Sequence, residues 1–171
     1  MDWRAVWLLG LSLSPILSAA EEPEGPPPPR LGVTVANATL VDMAQHPRQL
    51  AEFAAPVLVL NFWAFWCDTW KHQLPQLIEL SRRQEELGFE LVAVSVDGQW
   101  SDAVREHLGD DPLPFAVLLD GRRALSGPLG LRRVPTVLVL DRERRVTWLH
   151  EAYPGNPAVL RAVRAAQRKD R

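Results

Sequence analysis

The sequence holds a single cysteine, Cys67. No disulfide can close within the chain, so the fold must stand on its own core. The four histidines, His46, His72, His107 and His150, are dispersed. With one cysteine they offer no ligand spacing for zinc or haem, so neither a metal nor a cofactor is expected. No glycine-rich stretch has the spacing that cradles phosphate. The formal net charge is −2, and no basic stripe interleaves with aromatics. Nucleic acid is therefore not an expected partner. The apolar run from Ala5 to Leu17 is broken by Gly10, Ser12, Ser14 and Pro15, too short and interrupted to span a bilayer comfortably.

That run has the order of a secretory signal. Arg4 gives a short positive start, and Ser18-Ala19-Ala20 offers a small-residue cleavage site before Glu21. Residues 1–20 are expected to be removed after Ala20, which makes the protein exported, periplasmic or extracytoplasmic. A membrane is a partner only if the segment stays uncleaved. Residues 21–30, with five prolines among ten residues, are expected to form an extended tether. From Leu31 to Arg171 the pattern is that of one domain. With 47% apolar residues, the chain can bury a core.

Within this domain the strands and helices alternate. Val33 to Val41 suits an edge strand or hairpin, and Arg48 to Phe53 a short helical turn. Pro56 to Phe62 is a continuous apolar run, as in a strand covered on both faces. Thr69 to Leu87 has helical spacing, with a kink expected near Pro75 and a stop at Gly88. Phe89 to Val96 and Phe115 to Leu119 read as further strands, separated by a helix from Ser101 to about Leu108. Ala124 to Leu131 is a loop or short helix. Thr136 to Leu140 and Val146 to His150 form a hairpin, and Asn156-Pro157 opens the last helix. The class is α/β, three layers around a central mixed sheet.

Cys67 lies where the buried strand passes into a helix. Unpaired N–H groups at a helix start favour an anion, and the thiolate is the reactive form of cysteine. Lys71 adds nearby positive charge and Asp68 opposes it. The competing reading is a buried, inert thiol. Trp70 either caps the apolar surface around the site, or instead forms part of a binding surface or shields Cys67 from solvent.

Leu60-Asn61-Phe62-Trp63-Ala64-Phe65-Trp66-Cys67 resembles the thioredoxin superfamily, in particular its exported TlpA/ResA-like branch. Leu74-Pro75-Gln76-Leu77, Gly88 to Asp97, Val134-Pro135-Thr136 and Asp141 to Val146 resemble further family stretches in the right order. The resemblance implies a thioredoxin-like fold and thiol–disulfide oxidoreductase activity with Cys67 as nucleophile. It also implies a cis bond at Val134–Pro135 beside the cysteine, where an extended substrate would pair with the backbone. Trp66, Trp70, Val134 and Pro135 then form the substrate surface. Lys71, Gln73 and Asn61 support it. The family's Cys-x-x-Cys reads Cys67-Asp68-Thr69-Trp70 here. Gln73 stands where the branch often carries glutamate, and Asn61 where thioredoxin has a buried acid.

Three functions follow. The first is monothiol exchange on protein disulfides or low-molecular-weight thiols, completed by an external reductant. The second is a non-catalytic binding module for a protein partner. The third is a one-cysteine peroxidase, which the apolar, aromatic strand before Cys67 disfavours.

Overall fold

The computed structural model describes residues 27–98 and 112–169. The expected signal, most of the tether and the helix from Ser101 to Leu108 lie outside the described residues.

The strands are β1 (Thr39–Asp42), β2 (Pro47–Gln49), β3 (Val57–Trp63), β4 (Phe89–Ser95), β5 (Ala116–Leu119), β6 (Thr136–Leu140) and β7 (Val146–Glu151). They form one mixed sheet in the order β2-β1-β5-β4-β3-β6-β7. β3 runs parallel to β4, from Val57 opposite Phe89 to Trp63 opposite Ser95. It runs antiparallel to β6, from Leu58 opposite Leu140 to Phe62 opposite Thr136. Having neighbours on both edges and cover on both faces, β3 is buried along its whole length. This explains its unbroken apolar sequence.

Side chains of a strand alternate between faces. Val57, Val59 and Trp63 therefore meet helices α1 (Thr69–Ser81) and α3 (Asn156–Lys169), through Leu77, Leu80, Val159 and Val163. Burying each such aliphatic side chain contributes roughly 1.5–3 kcal/mol. Leu58, Leu60 and Phe62 meet the opposite layer, made of Leu50, Phe53, Leu125, Leu129 and Leu131. Among the described residues, that layer holds the 3-10 turn Leu50–Glu52 and the irregular turns after Asp120.

Two expectations need correction. Helix α1 runs on through Pro75 and ends at Ser81, short of the expected Leu87. The break falls at Arg82–Arg83, before the short α2 (Gln84–Leu87). Gly88 ends α2 with φ 58°, the left-handed cap that glycine accepts most readily. The stretch from Val33 to Val41 also divides. Val33 and Val35 bond to the backbone beside the β6–β7 turn, at Val146 and Arg144. Thr39 to Asp42 instead pairs with β2, and its Val41 and Asp42 with β5.

Candidate active site

The loop between β3 and α1 leaves the carboxyl end of the central strand, where open α/β sheets place their ligand sites. Its conformation is fixed by hydrogen bonds from several directions. Val96 N–H donates to the Trp63 carbonyl at 2.9 Å, and Cys67 N–H to the Ala64 carbonyl at 3.2 Å. Phe65 N–H donates to Asp97 Oδ2 at 2.7 Å. Ser95 Oγ donates to the other oxygen of the same carboxylate. A charged acceptor makes such a bond stronger than a neutral one. Asp97 thus ties the end of β4 to the loop that presents the cysteine.

Cys67 is half-buried, immediately before the first residues of α1. Its Sγ lies 3.1 Å from Thr69 Oγ1 and 3.9 Å from the Val134 carbonyl. When the sulfur carries the proton, the carbonyl can accept it. When the sulfur is an anion, the Thr69 hydroxyl can donate to it. Lys71 is engaged within its own turn: its Nζ meets Asp68 Oδ1 at 3.1 Å and rests over the Trp70 ring.

The facing wall is the loop from Leu131 to Pro135. The Val134–Pro135 bond is cis. Thr136 Oγ1 donates to the Arg133 carbonyl at 2.8 Å, and Ala152 N–H to the Pro135 carbonyl at 2.7 Å. Arg123 Nη2 donates to the Leu131 carbonyl at 2.9 Å. The turn carrying Arg123 is built on buried Asp120, whose carboxylate accepts N–H bonds from Leu125 and Ser126. Gly127 is required there, since a Cβ would stand 2.5 Å from the Arg123 carbonyl oxygen.

Cys67, Trp66, Val134 and Pro135 therefore come together. Trp66 is 70% exposed and shares a groove with Asp97, Arg132 and Val134. Trp70 does not line that groove and is only 5% exposed. Its indole N–H donates to the Phe65 carbonyl at 3.2 Å, and its ring packs beside Trp63 and Phe65. Three residues into the turn after Cys67, α1 points its side chain at the core. Of the two readings of Trp70, this position supports the apolar cap and not the binding surface.

Asn61 and Gln73 lie behind the site, 1% and 4% exposed. Alternation along β3 puts Asn61 on the α1 face, where Gln73 Nε2 donates to its Oδ1 at 2.6 Å. Both groups are neutral amides. They hold α1 to β3 and do not exchange a proton in the ordinary pH range. Asn61 Nδ2 and Trp63 Nε1 find no acceptor among the described residues. Thr69, Asp97 and Arg123 were not among the residues expected at the site. A hydroxyl two places after the cysteine and a carboxylate just past a parallel strand were the available signals.

Several known proteins are similar to this chain in sequence or fold. The thiol-disulfide oxidoreductase ResA of Bacillus thuringiensis (strain Al Hakam) is 26% identical over 117 residues, covering 68% of this chain and 67% of the relative. The exposed lipoprotein thioredoxin Etrx1 of Streptococcus pneumoniae strain TIGR4 superposes with a TM-score of 0.64 at 23% identity, over 76% of this chain and 99% of its own. StoA of Bacillus subtilis does so with a TM-score of 0.62 at 18% identity, over 75% and 97%. The fold is thioredoxin-like. Residues 30–164 match the Redoxin family model, and the chain belongs to the redoxin family.

Proposed function

We propose that this redoxin takes part in thiol–disulfide exchange through Cys67 alone. The Cys67 thiolate attacks one sulfur of a substrate disulfide. That S–S bond breaks, the far sulfur leaves as a thiolate, and a mixed disulfide joins the near sulfur to Cys67. An external thiol, deprotonated, then attacks the substrate sulfur of that bond. Cys67 departs as a thiolate, and the resolving thiol remains joined to the substrate. The substrates are protein disulfides or mixed disulfides of low-molecular-weight thiols. Asp97 and Thr69 act as positioning residues, one through the loop backbone and the other at the sulfur. The N-terminal signal-like segment supports an exported setting, where disulfides persist.

One observation carries this reading. The half-buried Sγ lies 3.9 Å from the Val134 carbonyl, so a segment laid along the cis-proline loop brings its own sulfur to Cys67. The test uses a peptide mixed disulfide with a chromogenic thiol, supplied with excess free thiol. The protein should release the chromophore catalytically and Cys67→Ser should not. Equal turnover by the two removes the proposal.

A second reading, a binding module that does no chemistry, draws support from the exposed indole of Trp66. It predicts that Cys67→Ser keeps the biological role and Trp66→Ala loses it.

A further inference from the structure

Among the described residues, the groove beside Cys67 is unequal in charge. Its acids are already engaged: Asp97 accepts from Phe65 and Ser95, and Asp68 nearby is paired with Lys71. Its arginines are not matched in the same way. Arg123 spends a donor on the neutral Leu131 carbonyl. Arg133 has an ion pair with Glu151 at 3.1 Å, between side chains 75% and 52% exposed. Such a pair contributes only about 0–1 kcal/mol and yields readily to a competitor. Arg132 is exposed and has no hydrogen-bonding or ionic partner among the described residues.

Arg132 sits two residues before Val134, the residue whose carbonyl faces the sulfur. At about 3.3 Å per extended residue, that is roughly 7 Å along a strand. The groove also continues. Leu131, Arg132 and Arg133 line both the depression beside Trp66 and a second one bounded by Thr136, Leu149 and Glu151. A small capped thiol can reach the first depression alone, whereas an extended polypeptide is long enough to reach both.

We infer that the protein selects disulfides in polypeptide segments carrying a carboxylate about two residues from the reacting cysteine, with Arg132 as the specificity-determining residue. This rests on the exchange reading above. The guanidinium supplies a planar fork of donors for the carboxylate. It also steers an anionic segment toward the groove before contact.

Three peptides test it, identical except for Glu, Gln or Lys two residues from a cysteine blocked as a chromogenic mixed disulfide. Chromophore release should be fastest for the Glu peptide and slowest for the Lys peptide. A Glu-to-Lys ratio of about tenfold is expected at low salt, shrinking toward one near 1 M salt, where the screening length is only about 3 Å. Arg132→Gln should bring the ratio close to one, and Arg132→Lys should keep most of it. Equal rates for the three peptides, or a ratio indifferent to Arg132→Gln, would overturn the inference. Faster, Arg132-dependent reaction of glutathione disulfide than of the Glu peptide would overturn its polypeptide part.

A parallel titration with S-methylated peptides, followed by anisotropy of a label, separates the two readings. Tighter, Arg132-dependent binding of the Glu form without any chromophore release would support the charge selection and defeat the exchange chemistry. No preference in binding or rate would defeat the selection.

Discussion

The indole of Trp70 rests against that of Trp63, with ring centroids 5.8 Å apart and planes tilted by 50°. The position three residues after Cys67, where a Cys-x-x-Cys motif would place its second thiol, is here a core position. Trp70→Cys would restore the spelling of that motif and remove a large part of the packing beneath it. Truncating a buried tryptophan costs about 3–5 kcal/mol. The variant should therefore unfold at markedly lower urea than the parent, and Trp70→Phe should lose less. An unchanged midpoint for Trp70→Cys would show that the ring adds little to the core.

The Thr69 hydroxyl, 3.1 Å from Sγ, is placed to donate to the thiolate. Thr69→Val keeps the shape and removes the donor. A hydrogen bond contributes about 1 kcal/mol, equivalent to about a fivefold change in an equilibrium. Alkylation of Cys67 by iodoacetamide at neutral pH should slow by a similar factor in Thr69→Val and recover in Thr69→Ser. A rate identical in all three proteins would remove the hydroxyl from the account.

The buried amide pair lends itself to a double-mutant cycle. Gln73→Leu leaves the Asn61 carbonyl oxygen without its donor, at a cost of about 1–3 kcal/mol. Asn61→Leu strands Gln73 in the same way. The double variant replaces both partners, and its loss should fall below the sum of the single losses. Contacting pairs couple by about 0.5–3 kcal/mol. Strict additivity in urea titrations would mean that the two side chains do not depend on one another.

Tyr153 is the chain's one tyrosine, so its ionisation can be followed in a pH difference spectrum without a second tyrosine contributing. Burial raises its pKa well above the ordinary tyrosine value, and the charge of Glu79 raises it further. The phenol also donates to Asn156 Oδ1 at the start of α3. The folded protein should show no phenolate absorbance around pH 10, where unfolded tyrosine ionises. Because the folded pKa is the higher one, the contribution to stability is whole below about pH 10. It declines as pH rises further, since only the unfolded chain then gives up its proton. Phenolate appearing at the ordinary pH, with the fold intact, would contradict this.

The sequence disclosed elements whose burial is uniform and missed those whose contacts are distant. Val57 to Phe62 could be read as a central strand because cover on both faces leaves no polar position except Asn61. Gly88 marked a helix stop because a left-handed cap favours glycine. Cys67, Val134 and Pro135 were legible through resemblance to a family, and the fold brings them together. Trp70 was less legible, since an aromatic in a first helical turn suits a surface or a core equally well. Only the packing against Trp63 decides between them. Asp97 was silent because its partner, the Phe65 amide, is thirty-two residues away. The helix expected to run from Thr69 to Leu87 is interrupted at Arg82–Arg83, where Ser81 Oγ bonds back to the Ile78 carbonyl.

The inward turn of Trp70 also bears on time. If exchange runs as proposed, an adduct on Cys67 has no second cysteine in the chain to expel it. Its persistence would then follow the concentration of thiols in the surroundings, short where they are abundant and long where they are scarce. The fraction of molecules carrying a cap would then serve as a running record of how reducing those surroundings are.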